Sequence, residues 1–345
     1  MISSGELRMR IINGYIGKWE ELNLYTPTID LFVGGISLEE RCPQGWNLLK
    51  KSNINIRRKI MFYFKEIIQT KESNRIEKII FDKLFDMTQN DFRIKSGLYD
   101  EIGGLREFEK CLDEINFNSI KRNIMIDISV MIKPYIFILL RYLLDIKKLR
   151  VLYLLYTEPN IYQEPKSRLH QKESVFFTKG TVKIGEIPGY SGWKDLKKRD
   201  ILIILLGFEG NRAIEITNAI EPEITIPVNG FPAYRPEFKD ISIISNEELL
   251  REPSTFKNLT YAPANDPFET NRVLESIHTK HSKDYNITLA PIGTKPMSLG
   301  SCLFALQHPE CRIVYPYPTE YNLKVSKGFG NTWIYMIFPG ERNEE

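Results

Sequence analysis

The chain contains few cysteines and few histidines, and neither residue type forms a pattern that is typical of a metal site. Its 345 residues include four of each. The cysteines are Cys42, Cys111, Cys302 and Cys311. They form no Cys-x-x-Cys pair and match no zinc spacing, so we expect buried or incidental thiols. His278 and His281 lie three residues apart without an accompanying ligand pattern, so we expect no metal and no cofactor.

Neither sign of charge dominates, and no apolar run is long enough to cross a membrane. Lys and Arg total 47 against 44 Asp and Glu, a formal net charge of +3. Dedicated nucleic-acid-binding proteins usually carry a basic excess, so we expect no sequence-specific DNA binding. The longest apolar stretch, residues 135–144, is interrupted by Arg141 and is shorter than the ~20 residues of a membrane span. Because the N-terminus lacks the pattern of a signal peptide, we expect a cytoplasmic protein.

Ordinary globular composition, with 42% hydrophobic and 26% charged residues, excludes intrinsic disorder. Short apolar runs that are typical of buried strands occur at residues 29–33, 124–128, 151–156, 201–206, 224–228, 287–290 and 312–315. Segments with the features of helices, such as 134–144 and 297–306, alternate with them. Continuous apolar strands alternating with helices predict an α/β fold whose parallel sheets are covered on both faces.

The length corresponds to about two domains, and a loop-rich stretch divides the chain. We expect a first half at residues 1–160, a linker with loops at 161–198 and a second half at 199–345. Apolar residues recur at helical spacing in IRRKIMFYFKEIIQ and in RIEKIIFDKLFDM. This spacing predicts a helical insertion at about residues 43–122 of the first half.

The two halves contain similar segments in the same order. Residues 29–41 and 201–212 each contain an apolar strand, a glycine turn, acidic residues and an arginine. Residues 123–134 and 286–296 each contain a strand, a loop with a hydroxyl residue, and Lys-Pro before an apolar helix. Duplication of one Rossmann-like unit would explain both similarities, and chance is the alternative. We therefore expect two Rossmann-like parallel-sheet halves in one chain.

The loop between the strand at 287–290 and the helix at 297–306 has the features of an anion site. Gly293 permits close approach to the backbone, Thr294 and Ser298 supply hydroxyls, and Lys295 supplies a positive charge. A helix N-terminus adds unpaired N–H groups. Neither the P-loop pattern nor Gly-x-Gly-x-x-Gly is present. The alternative is a plain turn with a helix cap.

A second candidate loop follows the apolar strand at 201–206. It contains Gly207 and Glu209, and Arg212 follows at the start of a helix. Glu209 could bind a ribose hydroxyl or act as a general base or nucleophile, and Arg212 could pair with phosphate. The alternative is that the two residues simply pair with each other. Residues 39–41 repeat this arrangement in the first half.

A third candidate is the segment NDPFETNR at residues 265–272. Asn265, Asp266 and Arg272 could read a base or a ribose at the end of a strand. The alternative is that Asp266 only caps the helix that follows, because Glu269 falls at capping-box distance.

Two aromatic loops could form walls of a site. Residues 315–322 (YPYPTEYN) follow the last predicted strand, and residues 231–236 (FPAYRP) form a turn. Tyrosines in such loops could stack on bases, whereas packed loops are the alternative.

The strand followed by Gly293-Thr294-Lys295 and a helix resembles the late motif of CARF domains, the CRISPR-associated Rossmann-fold sensors. The loop at Gly34, Gly35 and residues 36–37 resembles their early ligand-binding loop. The resemblance implies that two such units hold a cyclic oligonucleotide, and that a chain with two units is similar to the related SAVED domains. It also implies ligand roles for Ser37, Ser129 and Lys133 in the first half and for residues 207–209 in the second. The first half lacks the Gly-Thr pair, and Glu209 stands where a hydroxyl is expected.

The candidate loops and the resemblance together favour a nucleotide sensor, and the resemblance implies a role in bacterial antiviral defence with a protein effector partner. The alternative is an enzyme that cleaves a nucleotide or nucleoside, an N-glycosidic hydrolase or a phosphodiesterase, with Glu209 or Asp266 as the catalytic group. A third possibility is a scaffold protein that binds a partner but no small ligand.

Overall fold

Two largely parallel β-sheets and the helices that connect their strands make up the described part of the chain. The computed structural model describes residues 11–19, 28–52, 54–64, 85–116, 122–146, 149–162, 178–321 and 326–339. Each of the seven apolar runs overlaps a parallel strand of one of these sheets. The expected α/β class is therefore confirmed.

The first sheet has seven strands. They are β1 (Ile11–Lys18), β2 (Leu31–Ile36), β3 (Lys59–Phe64), β4 (Phe92–Ser96), β5 (Arg122–Asp127), β6 (Leu149–Tyr162) and β15 (Ser326–Pro339). Their order is β1-β15-β6-β5-β2-β3-β4, in which β6 to β4 are parallel and β15 and β1 are antiparallel additions. The helices between these strands are α1 (Gln44–Lys51), α2 (Glu101–Glu114) and α3 (Lys133–Asp145).

The second sheet has six strands. They are β8 (Lys183–Glu186), β9 (Arg199–Leu205), β10 (Ile224–Gly230), β11 (Thr260–Ala262), β12 (Tyr285–Pro291) and β13 (Arg312–Tyr317). The helices are α4 (Gly210–Ile220), α5 (Pro236–Ser245), α6 (Glu247–Leu250), α7 (Pro253–Lys257), α8 (Pro267–His281) and α9 (Lys295–Gln307). The order is β11-β10-β9-β12-β13-β8, with only β8 antiparallel. Two short strands, β7 (Thr178–Lys179) and β14 (Glu320–Tyr321), pair separately.

The two sheets share one strand order. The first sheet contains the order β4-β3-β2-β5-β6-β15, and the second has the order β11-β10-β9-β12-β13-β8. When the parallel strands of each sheet are numbered along the chain, both orders read third, second, first, fourth and fifth, and one antiparallel strand follows. The segments that look alike in sequence occupy the same places: β2 and β9 are the first strands, and β5 and β12 are the fourth.

One hydrophobic core runs through both sheets. Residues of β2, β3 and β5 and of β9, β12 and β13 belong to a single cluster of contacting buried side chains. Helices α3 and α9, which follow the equivalent strands β5 and β12, pack on each other. Between them, the hydroxyl of Tyr190 donates to the Phe137 carbonyl at 2.9 Å and lies 3.1 Å from Cys302 Sγ. The two sheets are therefore joined by packing as well as by the chain.

The expected helical insertion is wrong at two places. The segment KIMFYF forms strand β3, whose six residues are all buried, and β4 also joins the first sheet. A short apolar run with aromatic and β-branched residues fits a buried strand as well as a helix, so periodicity alone does not separate them. Helices α1 and α2 do lie in this region. Most of RIEKIIFDKLFDM lies in residues 65–84, outside the described residues.

The expected boundaries also differ from the sheets at two points. Within the linker of residues 161–198, β8 pairs with β13 and extends the second sheet. Within the expected second half, β15 returns to the first sheet, where it pairs with β6 and β1. In the described residues, no helix combines the length and the apolar character that a membrane span requires.

Candidate functional site

A cavity of about 210 Å³ lies where loops from both sheets meet. Its walls come mainly from segments at the carboxyl ends of parallel strands: residues 37–41, 130–133, 206–209, 229–234 and 292–295. In parallel α/β sheets this edge collects the loops and helix N-termini that bind ligands. The cavity is therefore enclosed by equivalent loops of the two sheets.

Two lysines cross between the two sheets at this cavity. Lys133, the first residue of α3, donates from Nζ to the Pro291 carbonyl at 2.9 Å and to the Gly293 carbonyl at 2.6 Å. Lys295, the first residue of α9, donates from Nζ to the Ser129 carbonyl at 2.5 Å. Each ammonium therefore contacts the loop that precedes the other lysine, and the contacts are reciprocal.

Burial lowers the pKa of both lysines to about 7. Burial is the largest cause in each case because it disfavours the charged form. Next in size, Glu209 raises the pKa of Lys133, whereas the Arg41 charge lowers the pKa of Lys295 further. Both side chains line the cavity. Near neutral pH, the protonated and neutral forms of both side chains are therefore close in free energy.

On the first-sheet side, Glu39 and Arg41 form a buried ion pair. Arg41 donates from Nε to Glu39 Oε2 at 2.9 Å and from Nη1 to the Thr157 carbonyl at 3.1 Å. The Ser326 hydroxyl donates to the same Glu39 oxygen at 2.5 Å. Burial alone would raise the pKa of Glu39, but Arg41 and Lys295 outweigh it and hold this pKa below its usual value. Glu39 is therefore a carboxylate at neutral pH.

On the second-sheet side, Glu209 and Arg212 form the matching pair. Arg212 Nε lies 3.5 Å from Glu209 Oε1, and Arg212 Nη1 donates to the Pro316 carbonyl at 2.5 Å. Thr178 donates to Glu209 Oε1 from its backbone N–H at 2.9 Å and from its hydroxyl at 2.5 Å. Burial raises the pKa of Glu209 in spite of Arg212 and Thr178. The two carboxyl groups thus have similar partners and opposite pKa shifts.

Tyrosines and one asparagine complete the wall. Tyr156 and Tyr234 have ring centroids 6.0 Å apart, and Tyr162 lies 5.4 Å from the Phe208 ring. Asn229 is fully buried and donates through Nδ2 to a carbonyl of α5 at 3.2 Å. Its Oδ1 has no hydrogen-bond partner among the described residues. A buried acceptor without a donor is costly, so this atom lowers the stability of the wall.

Eight residues to which the sequence assigned a ligand role line the cavity. They are Ser37, Lys133, Gly207, Phe208, Glu209, Gly293, Thr294 and Lys295. The sequence suggested that Gly293 permits close approach of a ligand, but its observed role is in packing. A Cβ there would lie 2.8 Å from the Leu206 carbonyl, because the loops after β9 and β12 approach each other closely. Thr294 also caps α9, accepting from the Met297 N–H at 3.3 Å. The sequence left open whether this loop is a candidate site or only a turn with a helix cap. The loop both lines the cavity and caps α9.

Three predicted residues support the cavity from behind. The Ser129 hydroxyl accepts from the Thr157 N–H at 2.8 Å, and the Ser298 hydroxyl donates to the Pro291 carbonyl at 3.1 Å. Arg212 is buried and holds Glu209. Gly34 and Gly35 lie within β2 and pack against methionines rather than lining the cavity.

The segment at residues 265–272 forms a helix start outside the cavity wall. Asp266 caps α8, accepting from the Phe268 N–H at 2.9 Å and the Glu269 N–H at 3.0 Å. Arg272 is largely exposed and pairs with Glu269 at 2.7 Å. Asn265 contributes its carbonyl to the Tyr335 hydroxyl at 2.9 Å. These contacts match the capping interpretation.

Tyr156 and Asn229 were not predicted from the sequence. They carry no local motif, and the sheet order brings them to the cavity wall. Arg41 and Tyr234 were suggested by the internal repeat and by the aromatic turn at residues 231–236, and both line the cavity.

The sequence matches no model of a known protein family and no curated protein. The cavity combines two lysine side chains at helix N-termini with aromatic rings. Groups of these kinds can contact a phosphate and stack on a ring.

Proposed function

We propose that the chain is a nucleotide sensor that binds a ligand of the cyclic oligonucleotide class between two Rossmann-like halves. The observation that carries this proposal is the reciprocal pair Lys133 and Lys295. Each lysine begins a helix at the carboxyl edge of one parallel sheet, and each reaches the opposite loop in the shared cavity. Helix N-termini with an adjacent cation are favourable phosphate positions.

The pairing of groups across the cavity supports a ligand that contains repeated units. Lys133 of the first half corresponds to Lys295 of the second. The ion pair of Glu39 and Arg41 in the first half corresponds to the ion pair of Glu209 and Arg212 in the second. A ligand with two phosphates related by approximate two-fold symmetry would place one phosphate near each lysine. A cyclic oligonucleotide has this property, and its bases would meet the tyrosines of the wall.

The resemblance to CARF and SAVED domains agrees with this arrangement. In those families two Rossmann-like units hold a cyclic oligonucleotide, and the strand orders of the two sheets suit such units. We therefore also propose a role in bacterial antiviral defence, in which ligand binding is passed to a protein effector partner.

Calorimetric titration tests the proposal directly. The full chain is titrated with cyclic oligoadenylates, linear oligoadenylates, cyclic dinucleotides and NAD. We expect one class of cyclic oligonucleotide to bind and the Lys133→Met, Lys295→Met double variant to lose at least ~10-fold in affinity, because charge-assisted phosphate contacts are worth about 1.5–3 kcal/mol. Lys110→Met is the matched control, since that lysine is exposed on α2 and pairs with the neighbouring Glu107.

Two results would reject the sensor. One is the absence of binding to every compound of the series. The other is undiminished binding by a folded double variant, which would place the ligand elsewhere. Far-UV circular dichroism of each variant shows whether it is folded.

A second candidate, a nucleotide-cleaving enzyme, is favoured by one observation. Glu209 lies in the cavity wall, and burial raises its pKa, as expected of a general acid. The other carboxyl group considered for this role, that of Asp266, caps a helix instead. Incubation of each bound compound with wild type and with Glu209→Gln, followed by chromatography, tests this candidate. Cleavage that depends on Glu209 supports an enzyme, and intact ligand in both samples rejects it.

A further inference from the structure

The ends of α8 and α9 bring together two histidines, two glutamates and a cysteine, away from the cavity. His278 lies in the last turn of α8, and His308 directly follows α9. Their rings stack with centroids 4.0 Å apart. Glu310 and Cys311 follow in the turn that leads into β13, and Glu275 lies one helical turn before His278. None of the five residues lines the cavity described above.

The nitrogens of the two histidines converge on one carboxylate. His278 Nε2 lies 3.1 Å from Glu310 Oε1, and His308 Nδ1 lies 3.3 Å from the same oxygen. The ligand atoms of His278, Glu310 and Cys311 all lie within 4.8 Å of one another. The second nitrogen of His308, Nε2, lies 2.8 Å from Glu275 Oε1.

We infer that this cluster is a zinc site, with His278 Nε2, His308 Nδ1, a Glu310 oxygen and Cys311 Sγ as the four ligands. Structural zinc sites take four ligands from imidazoles, thiolates and carboxylates in tetrahedral arrangement. The ligand atoms of His278, Glu310 and Cys311 already lie together, and His308 Nδ1, which lies 3.3 Å from the Glu310 oxygen, would have to turn toward them to complete the set. We call the four ligands and Glu275 the His-Glu-Cys cluster.

The position of Glu275 supports ligation by His308 through Nδ1. Zinc-bound histidines usually donate their other ring N–H to a carboxylate, which fixes the orientation of the ring. Glu275 Oε1 stands at that position relative to His308 Nε2. The cluster thus contains an outer partner as well as a set of ligands.

The backbone and the surroundings also suit a bound ion. His308 and Cys311 have i,i+3 spacing in a tight turn, in which the Cys311 N–H donates to the His308 carbonyl at 2.9 Å. Cys311 is buried, whereas the two histidines and the two glutamates reach solvent, so an ion can enter from outside.

Cobalt spectroscopy tests this site in the full chain. The protein is treated with a chelator, titrated with Co²⁺, and then titrated with Zn²⁺ as a competitor. We expect uptake of one equivalent, a thiolate-to-cobalt charge-transfer band, and tetrahedral d–d absorption that Zn²⁺ removes. Cys311→Ser should lose the charge-transfer band, and His278→Gln should lower the affinity at least ~10-fold.

His281→Gln and Cys302→Ser are the matched controls. His281 lies on the same helix, but its ring packs on Tyr285 outside the cluster, and Cys302 is a buried thiol elsewhere in the fold. Both controls should keep the affinity and the spectrum of the wild type. Glu310→Gln, which keeps the shape of the side chain, provides a second variant if Cys311→Ser does not fold.

Three results would overturn the zinc site. They are the absence of stoichiometric uptake, cobalt binding without a thiolate band, and equal affinity in the folded His278→Gln or Glu310→Gln variant. Any of them would leave the cluster as a set of histidine–carboxylate hydrogen bonds only.

Discussion

Replacement of Lys133 by methionine should reduce the dependence of stability on pH. Burial gives Lys133 a folded-state pKa of about 7, against an ordinary value of 10.5. Between these two values the unfolded chain holds a proton that the folded chain has lost. Stability therefore rises with pH across this window, since the unfolded state binds more protons. The destabilising effect of the buried charge is complete below pH 7 and is relieved as the pH rises.

The size of this effect follows from the titration of one group. Each pH unit in which only the unfolded state is protonated adds about 1.4 kcal/mol to the free energy of unfolding. Between about pH 6.5 and about pH 8.5, a lysine with a folded-state pKa near 7 would add about 2 kcal/mol. Lys133 retains some contact with solvent, so we expect about 1–2 kcal/mol in practice. The Lys133→Met variant should lack this increase in the free energy of unfolding.

Urea denaturation at the two pH values measures the increment as the difference between wild type and Lys133→Met. The variant also loses the hydrogen bonds to the Pro291 and Gly293 carbonyls, a cost of about 1–3 kcal/mol that is similar at both pH values. This cost cancels in the pH difference. Lys110→Met, a change at a side chain 67% exposed, should retain the wild-type pH dependence. Equal pH dependence in wild type and Lys133→Met would show that the lysine titrates normally and would refute the reasoning.

Three further predictions concern packing and helix ends, and urea denaturation measures each of them. Gly300→Ala should destabilise the fold by about 1–3 kcal/mol because its Cβ would lie 2.5 Å from the Pro267 carbonyl; Gly185→Ala, with its nearest contact at 3.6 Å, should change little. Asp266→Ala should cost about 1 kcal/mol through loss of the α8 cap. Arg212→Met should cost about 3–5 kcal/mol because it leaves a buried carboxyl group without its partner. If Gly300→Ala, Asp266→Ala or Arg212→Met has the same free energy of unfolding as the wild type, the contact removed or strained by that change does not stabilise the fold as argued.

The positions of most parallel strands were predictable because they depend on local signals. The run ILIILL has no polar residue to place at a surface, and it forms β9 in the centre of the second sheet. The same reasoning failed for KIMFYF, since a six-residue apolar run is too short to show whether its period is that of a strand or a helix. The pairing of β15 with β6 was also unpredictable, because it joins residues far apart in the chain.

The candidate site was predictable where a residue belongs to a loop between a strand and a helix. Lys295 was selected as the positive charge of a loop that leads into a helix, and Lys133 as its counterpart in the first half. Their partners were not predictable, because each ammonium contacts a carbonyl of the other loop across more than 150 residues of chain. Asn229 gave no signal at all, since its unpaired oxygen becomes visible only when burial is known.

The crossed lysines have a consequence for how the cavity is assembled. Neither loop supplies its own cation contact: the Gly293 carbonyl accepts from Lys133, and the Ser129 carbonyl accepts from Lys295. Helices α3 and α9 pack together beneath these contacts, and β15 returns from the second half to the first sheet. The cavity therefore exists only when both sheets are in place. If a phosphate binds as we propose and takes a lysine away from its carbonyl, a contact between the halves would be replaced by one to the ligand, and binding would then be coupled to the relation between the halves.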